Sequence, residues 1–342
     1  MEATHSSSPM EAIGQSEAFL QFQEQLSRVA RIERPVLIIG ERGTGKELAA
    51  ARLHYLSKRW QGPLVTLNCA ALASSLLDAE LFGHEVGAFT GATVRRKGRF
   101  ENADTGTLFL DEIANLSPEA QEKILRVVEY GSFDRVGGSR PVTVNVRIVG
   151  ATNVDLPQRA KLGAFKEDLL DRLSFEVLTV PPLRMREGDV QMLTRHFAAR
   201  MAVGMGYPES PEFSARAMAM LTSHDWPGNV RELKNVVERA VYRTGPGTIR
   251  EVVFDPFSSP YRPVEQAEPA APTLTARDGV PRCAKPDLDI PLARAVRELE
   301  EAYLALALEQ SRHNQKRAAD LLGLTYHQFR GLYRRLGADR ED

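Results

Sequence analysis

The segment from Gly40 to Glu47 constrains the fold most, because it forms a glycine-rich phosphate-binding loop. It reads Gly40-Glu41-Arg42-Gly43-Thr44-Gly45-Lys46-Glu47 and stands between an apolar segment and a helical stretch that begins at Leu48. In a strand–loop–helix unit of this kind, backbone N–H groups, the helix N-terminus and the lysine ammonium bind phosphate oxygens. Glu47 occupies the position where a Ser or Thr normally ligates Mg²⁺, so the metal would depend on phosphates, water and another carboxylate. The loop predicts a nucleotide-binding α/β core.

A second motif, residues 106–112, predicts the chemistry of this core. The apolar run Thr107-Leu108-Phe109-Leu110 delivers Asp111 and Glu112 at its end. Asp111 is suited to hold Mg²⁺ through water, and Glu112 is suited to polarise an attacking water molecule. Beside the phosphate-binding loop, the acidic pair indicates ATP hydrolysis.

Apolar segments, prolines and helical spacing predict how the chain is divided. Short apolar strands at 35–39, 64–68, 107–110, 144–151 and 174–180 alternate with helical patterns, which favours a parallel α/β sheet. We expect a flexible N-terminus at 1–11, an α/β subdomain at 12–180 and a helical subdomain at 181–254. Residues 255–291 are rich in proline and predict a linker, after which 292–342 form a separate unit.

Composition narrows the class of protein. The formal net charge of the 342-residue chain is -1, so a basic nucleic-acid surface must be local. Its two cysteines, Cys69 and Cys283, lack metal-site spacing, and we find no signal peptide or long apolar run. A reduced, cytoplasmic protein without a transmembrane segment is expected.

A hexapeptide between the two nucleotide motifs predicts a second binding partner. It reads Gly87-Ala88-Phe89-Thr90-Gly91-Ala92. ATP hydrolysis alone does not require it, and its glycines permit a flexible tip that presents Phe89 and Thr90. The run Arg95-Arg96-Lys97 follows; it either helps to contact DNA or is an ordinary solvated face. Residues 132–140 are a second candidate moving loop.

Together these motifs resemble the AAA+ ATPase core of the bacterial enhancer-binding proteins that activate sigma-54 RNA polymerase. The resemblance covers about residues 13–242 and also rests on the segments 80–85 (ELFGHE), 150–153 (GATN) and 226–233 (WPGNVREL). It implies a Mg²⁺-dependent ATPase that assembles as a hexameric ring, binds upstream enhancer DNA and remodels the sigma-54 RNA polymerase promoter complex. The hexapeptide would contact sigma-54.

The resemblance also implies roles for single residues. Thr152 and Asn153 match the sensor I position, and Arg231 matches sensor II. Asn68 matches the residue that holds the catalytic glutamate, here Glu112, in check. Without the resemblance, Asn68 and Thr152 would be read as polar residues that satisfy backbone groups at strand ends.

Two basic residues match the arginines that such ATPases insert into a neighbouring subunit. Arg172 is retained, whereas Lys166 stands where relatives usually carry Arg, which keeps the charge but loses the planar fork. The alternative is that Lys166 is solvated and Arg172 pairs with a nearby carboxylate.

The C-terminal unit predicts DNA binding. Residues 315–322 form a short helix, Gly323 a turn, and Thr325 caps a second helix that runs to about residue 336, as in the Fis-type helix-turn-helix of this family. The expected DNA contacts are Lys316, Arg317, Thr325, Tyr326, His327, Gln328, Arg330 and Arg334, with Arg312 and Arg335 adding charge. An apolar stripe before them (Leu288, Leu292, Ala295, Leu299, Ala302 and Leu306) suits either a partner helix, giving a dimer on DNA, or packing within the chain.

Trp60 is a candidate contact for a regulator. It lies in a predicted surface connection, although burial is the usual state of a tryptophan. The ATPase begins at Ile13-Gly14, with no receiver or ligand-sensing region before it, which is similar to members controlled by a trans-acting inhibitor of the phage shock type. Two other classes stay open: a DNA-binding repressor whose AAA+-like core serves ligand binding or oligomerisation, and an AAA+ unfoldase or helicase.

Overall fold

The computed structural model describes residues 12–257, 292–311 and 314–337, which fall into two compact units divided after Ser258. The predicted N-terminal segment 1–11 and almost all of the predicted linker lie outside these residues, as do Leu288 and Arg312. Within the described ranges, no helix combines the length and the apolar character needed to cross a membrane.

The described residues of the first unit contain seven strands and ten α-helices. The strands are β1 Val36–Ile39, β2 Leu64–Asn68, β3 Thr107–Asp111, β4 Ser132–Asp134, β5 Pro141–Thr143, β6 Arg147–Thr152 and β7 Val177–Thr179. The helices are α1 Glu17–Ala30, α2 Lys46–Tyr55, α3 Ser74–Phe82, α4 Arg99–Asn102, α5 Pro118–Tyr130, α6 Leu156–Lys161, α7 Glu167–Leu173, α8 Asp189–Gly204, α9 Ala215–Ser223 and α10 Asn229–Thr244.

Five of the strands form the parallel sheet that the sequence predicts, in the order β2-β3-β6-β1-β7. Its faces are covered by different helices. In β1, Val36 and Ile38 pack into a core with α1 and α2, whereas Leu37 packs into the core formed with α3 to α7. Successive strand residues point to opposite faces, so an unbroken apolar strand is what a sheet covered on both sides requires.

Three predicted strands are shorter than expected, the one at 35–39 by a single residue, and the predicted loop at 132–140 is anchored. The strand predicted at 144–151 begins only at Arg147, because the N–H of Val144 donates to the carbonyl of Gly131 as a hairpin closes. That hairpin pairs β4 with β5 in antiparallel fashion. The strand predicted at 174–180 is reduced to β7.

Helices α8, α9 and α10 form the lid after the sheet. Their common core contains Trp226, which is fully buried and donates from its indole nitrogen to the carbonyl of Leu221. The apolar residues of α10 recur at helical spacing, and Leu233, Val236 and Val237 among them are buried.

The described residues of the second unit form three helices, α11 Leu292–Gln310, α12 Gln315–Leu321 and α13 Tyr326–Gly337. Its core joins Leu304 and Ala307 of α11 to Ala318 and Ala319 of α12 and to Phe329 of α13. Gly323 turns the chain between α12 and α13 with a φ of +66°, as expected for a residue without a side chain.

Candidate functional site

The phosphate-binding loop connects β1 to α2 at the carboxyl edge of the sheet. Lys46 is the first residue of α2, and its ammonium donates to the carbonyl oxygens of Gly40 (2.9 Å) and Glu41 (3.2 Å). Gly45 precedes it with a φ of +98°, a backbone conformation that favours glycine. The loop therefore holds Lys46 at the N-terminus of α2. A phosphate bound there would compete with the two carbonyl oxygens for the hydrogen bonds that the ammonium donates.

Lys46 is largely buried and lies near the acidic pair. Burial lowers the pKa of its ammonium, while the charges of Asp111 and Glu112 oppose that shift. The three charged groups that the sequence places in separate motifs are thus close enough to influence one another. An anionic substrate bound at this point would balance the positive charge of the Lys46 ammonium.

Asp111 ends β3, and Glu112 follows it in a constrained geometry. One carboxylate oxygen of Asp111 accepts a hydrogen bond from the backbone N–H of Glu112 at 3.0 Å. Glu112 itself has a φ of +52°, which is uncommon for a residue other than glycine and often marks a functional site. The backbone of Glu47 lies in the first turn of α2, and its side chain is exposed.

Asn68 contacts the acidic pair through Asp111. Its amide nitrogen lies 3.4 Å from Oδ2 of Asp111, and its amide oxygen accepts from the N–H of Ala70 at 2.8 Å. The residue expected to restrain Glu112 is therefore hydrogen-bonded to the neighbouring carboxylate in this structure.

The end of β6 lies directly behind the phosphate-binding loop. The carbonyl of Thr152 accepts from the N–H of Gly40 at 3.1 Å, and its hydroxyl accepts from the N–H of Val154 at 3.0 Å. Thr152 is fully buried and Asn153 is half-buried. Of the two, Asn153 is the more accessible side chain beside the loop.

The lid reaches the loop through residues that the sequence analysis did not single out. The buried amide of Asn229 donates to Oε2 of Glu41 (3.0 Å) and to the carbonyl of Arg42 (3.1 Å), and it accepts from the N–H of Leu183 (2.8 Å). Arg184 adds a pair of hydrogen bonds to Glu41, at 2.9 and 2.6 Å. Asn229 lies inside the 226–233 motif, but no sequence pattern marks Arg184.

These lid contacts change the acidity of Glu41. The Arg184 guanidinium, followed by the Asn229 amide, lowers the pKa of the Glu41 carboxyl to about 2. Arg231, next in the lid, donates its backbone N–H to the carbonyl of Gly43 at 3.3 Å. A side chain on Gly43 would meet the carbonyl of Gly228 at 2.2 Å, so loop and lid are in direct contact.

A cavity of about 250 Å³ opens between α1, the phosphate-binding loop, α8 and α10. Its lining includes the loop residues Gly43 to Gly45, Arg231 of the lid, and Phe19, Phe22 and Gln23 of α1. The lining combines basic and apolar side chains, which is the chemistry that a nucleotide requires.

The hexapeptide forms an exposed turn with a packed base. The N–H of Gly87 donates to the carbonyl of Ala92 at 2.8 Å, and Ala92 is buried. The ring of Phe89 is 42% exposed and stands edge-on to the imidazole of His84, with ring centroids 4.9 Å apart. The exposed Phe89 and Thr90 can therefore meet a partner without disturbing the core.

The hairpin β4–β5 supports the base of this turn. A side chain on Gly137 would lie 2.7 Å from the Cβ of Ala88, so the two loops touch. Arg135 is buried and forms ion pairs with Glu85 (2.9 Å) and Glu101 (2.6 Å). Arg95 and Arg96 pair with acidic side chains of the same region, as a solvated face would.

The two basic residues expected to act on a neighbouring subunit bond to α5. The Lys166 ammonium lies 3.2 Å from Glu122, and the Arg172 guanidinium lies 2.9 Å from Glu129. The side chain of Arg172 is 60% exposed, so this pair costs little to break.

Trp60 is exposed rather than buried, with 56% of its surface accessible. Tyr55 and Leu56, at the end of α2, are exposed as well. A cluster of large apolar side chains in a short segment is typical of a protein–protein contact.

In the second unit the expected DNA contacts lie on α12 and α13, apart from Thr325, which immediately precedes α13. Lys316, Arg317, His327, Arg330 and Arg334 are exposed, and Tyr326 is half-buried. Thr325 and Gln328 serve the start of α13, because the Gln328 amide oxygen accepts from the Thr325 N–H at 3.0 Å and from its hydroxyl at 2.9 Å. This reciprocal cap orients the exposed face of the helix.

The geometry defines a P-loop ATPase with a helical lid, followed by a helix-turn-helix. Comparison with known families agrees. The Sigma-54 interaction domain matches residues 12–179, the AAA+ ATPase lid domain matches 184–268, and the Fis family of bacterial regulatory proteins matches 295–338.

Similar proteins are bacterial transcription regulators. The chain is 53% identical over 325 residues to the Psp operon transcriptional activator of Escherichia coli, covering 94% of this chain and 97% of that protein. It is 45% identical over 319 residues to the Nif-specific regulatory protein of Azotobacter vinelandii, covering 93% of this chain and 57% of that protein. The crystal structure of NtrX from Brucella abortus in complex with ADP aligns with a TM-score of 0.67 and 32% identity, covering 96% of this chain and 70% of that one.

The chain therefore belongs to the family of sigma-54-dependent transcriptional activators. Its first unit is an AAA+ ATPase, and its second carries a Fis-type helix-turn-helix.

Proposed function

We propose that this chain activates an operon of the Psp type, as an ATP-driven machine that binds upstream enhancer DNA and opens promoters held closed by sigma-54 RNA polymerase. One observation carries the proposal: an exposed hexapeptide tip is built into the ATPase between its two nucleotide motifs. The name of the 53%-identical Escherichia coli relative supports the class of operon. The cytoplasm, where RNA polymerase works, is the expected compartment.

The nucleotide-site residues divide the work of hydrolysis. Lys46 and the loop N–H groups bind phosphate oxygens, and Glu112 takes a proton from the attacking water. Asn68 orients the acidic pair through its contact with Asp111. Thr152 and Asn153 report on the phosphates from β6, and Arg231 does so from the lid.

The residues present fit Mg²⁺ held mainly by the substrate. Among the described residues, no group of three or more His, Cys, Asp or Glu side chains forms a metal cage. Mg²⁺ usually retains several waters and takes one or two protein carboxylates together with substrate phosphates, which matches Asp111 beside the loop. Bound there, the metal would neutralise phosphate charge.

Arg172 and Lys166 complete the site of a neighbouring subunit in a hexameric ring. Their exposed, weakly held ion pairs with α5 support this role. Complementation tests it: Arg172→Ala and Lys46→Ala are each inactive alone, but mixing them restores part of the ATPase rate, because mixed rings pair an intact loop with an intact arginine. No recovery on mixing, although the mixture assembles, would show that Arg172 acts within its own subunit.

Phe89 and Thr90 contact sigma-54 and transmit the change that hydrolysis produces. Phe89 supplies an apolar anchor, and Thr90 supplies a small hydrogen-bonding group. The test is open-complex formation by sigma-54 RNA polymerase on linear promoter DNA, with ATP hydrolysis followed in parallel.

We expect Thr90→Ala to hydrolyse ATP at nearly the normal rate without opening the promoter. Thr93 is an exposed threonine just outside the hexapeptide, so Thr93→Ala is the matched control and should behave as wild type. A wild-type chain that hydrolyses ATP but never opens a sigma-54 promoter would refute the activator function and favour the repressor alternative.

The second unit binds enhancer DNA as a dimer. On α11, Leu292, Val296, Leu299, Tyr303 and Leu306 are spaced by four and three residues and are all exposed. This alternation is the pattern of a two-helix seam, while α11 packs within its own unit through Leu304 and Ala307. Leu299→Glu should weaken dimers in light scattering and lower affinity for a two-half-site DNA, whereas the exposed Glu309→Gln on the same helix should not.

A trans-acting inhibitor of the phage shock type binds the exposed cluster of Tyr55, Leu56 and Trp60. Trp60→Ala should keep ATPase activity and lose inhibition by that partner. Equal inhibition of the variant and the wild type would place the regulator elsewhere.

A further inference from the structure

The turn of residues 226–229 has a strained backbone and lies against the phosphate-binding loop. Trp226 and Asn229 both have a φ of +52°, a conformation that is rare for a residue as bulky as tryptophan. Such a backbone persists only where the surrounding structure holds it. A side chain on Gly43 would meet the Gly228 carbonyl at 2.2 Å. The shape of this turn therefore sets how the lid contacts the loop.

Glu232, in the first turn of α10, holds this turn through Gly228. Its carboxylate oxygen Oε2 accepts from the Gly228 N–H at 2.7 Å, and its own N–H donates to the Gly228 carbonyl at 3.1 Å. A Cβ on Gly228 would lie only 2.8 Å from the Cβ of Glu232. A displacement of the Glu232 side chain would therefore also displace Gly228, which contacts the loop.

His224 contacts the other oxygen of the Glu232 carboxylate and is itself held by two aromatic rings. Its Nε2 lies 3.3 Å from Oε1 of Glu232. The imidazole is stacked on the ring of Phe254, with centroids 4.4 Å apart, and stands edge-on to the indole of Trp226, with centroids 4.7 Å apart. The two rings fix the imidazole in the orientation that meets Glu232.

Phe254 lies after α10 and outside the motifs of the nucleotide site. Its carbonyl accepts from the guanidinium of Arg239 at 3.3 Å, which ties this segment to α10. The ring is half-buried and packs at the edge of the lid core, where it also contacts Trp226 with centroids 5.8 Å apart. A continuous series of contacts therefore runs from Phe254 to Gly228 and on to the phosphate-binding loop.

We infer that Phe254 is a positioning residue for the nucleotide site, because its stack on His224 holds the 226–229 turn in the shape that keeps the lid against the phosphate-binding loop. This inference rests on the proposed function, since it requires ATP to bind at this loop. Three lining residues of the adjoining cavity lie on α10, just after the turn: Val230, Arg231 and Lys234. A relaxed turn would displace them and lower the affinity for nucleotide.

The test is calorimetric binding of ADP, which avoids hydrolysis during the titration, to the full chain. Phe254→Ala removes the ring. Phe257→Ala is the matched control, because Phe257 carries the same side chain three residues further on and is 70% exposed. Urea unfolding followed by circular dichroism shows that each variant is folded. A variant that is less stable but still folded keeps its ADP affinity if its role is only structural.

Phe254→Ala should bind ADP about threefold to tenfold more weakly than wild type, the magnitude expected for one aromatic pair. Phe257→Ala should agree with wild type within about twofold. His224→Ala interrupts the same series of contacts and should cause a similar loss. The double variant should bind no more weakly than His224→Ala alone, because residues that act through one another are not additive.

Wild-type affinity in folded Phe254→Ala would overturn the inference, since the ring would then only pack the lid. A double variant that shows the full sum of the two single losses in binding free energy would also overturn it. If Phe254→Ala does not fold, Phe254→Leu keeps apolar bulk without the stack and is held to the same expectation. A wild-type chain that binds no ADP would overturn the proposed nucleotide site instead, so the two failures are distinguishable.

Discussion

Asn229 is the residue whose removal should most clearly separate the lid from the phosphate-binding loop. Its fully buried side chain makes hydrogen bonds to Glu41, to the Arg42 carbonyl and to the Leu183 N–H. Asn229→Ala leaves the Leu183 donor and the Arg42 acceptor without these partners. At about 1–3 kcal/mol for a buried group left unpaired, the expected loss of unfolding free energy is about 3 kcal/mol.

The backbone of Asn229 adds a second, separable contribution. Its φ is +52°, where asparagine and glycine are tolerated better than alanine. Asn229→Gly loses the same hydrogen bonds without this strain, so it should be about 1 kcal/mol more stable than Asn229→Ala. The order of stability should therefore be wild type, then glycine, then alanine.

Urea unfolding followed by tryptophan fluorescence measures this loss, because Trp226 is buried in the lid close to Asn229. In a thermal scan, about 3 kcal/mol corresponds to a fall in Tm of about 6–12 °C for a domain of this size. ATP affinity should fall as well, because Asn229 holds both Glu41 and Arg42. If Asn229→Ala unfolds within about 0.5 kcal/mol of wild type, these hydrogen bonds do not hold loop and lid together.

Four further outcomes are expected. Glu112→Gln should retain ATP binding and lower the rate of phosphate release by about 10²–10⁴-fold, and a rate within tenfold of wild type would exclude Glu112 as the base. The pKa of Glu41 is lowered to about 2, so its ion pair stabilises the fold above about pH 4.5 and is lost as the pH falls toward 2. The Glu41 side chain is 40% accessible, so solvent screens this ion pair. Glu41→Gln should therefore remove at most about 1 kcal/mol of the stability lost between pH 6 and pH 3, as measured by urea unfolding at each pH. Burial, aided by nearby carboxylates, raises the pKa of the Cys69 thiol to about 12. In the variant Cys283→Ser, which leaves Cys69 as the one cysteine of the sequence, thiol reagents should label the native chain slowly and the urea-unfolded chain rapidly. Gly98→Ala should unfold the base of the hexapeptide turn, since its Cβ would lie 2.3 Å from the backbone nitrogen of Gly83; unchanged promoter opening would contradict this.

The parallel sheet, the lid and the helix-turn-helix follow from patterns within short segments. Unbroken apolar runs such as Val36 to Ile39 require cover on both faces, and the phosphate-binding loop requires a strand before it and a helix after it. Strand ends were less predictable. Val144 is as apolar as a strand residue, but the closing hairpin uses its N–H, and this depends on the distant Gly131.

The nucleotide site was only partly predictable for the same reason. Lys46, Asp111 and Glu112 belong to motifs whose chemistry is local. The partners of Glu41 come from residues far along the chain, Arg184 and Asn229, and no local pattern pairs them with the loop.

The hexapeptide turn has a crowded base and an open tip, and this contrast bears on how hydrolysis could move it. At the base, side chains on Gly83 or Gly98 would meet backbone atoms at 2.4 Å or less, whereas Gly87 and Gly91 at the tip have no neighbours within 4 Å. A close-packed base resists bending, so it would move as a rigid body. The tip, in contrast, is free to adapt to its partner. The base continues from α3, and α3 follows β2, whose last residue, Asn68, contacts Asp111. A change at the acidic pair therefore has a short route along the chain, through β2 and α3, to the base of the hexapeptide turn.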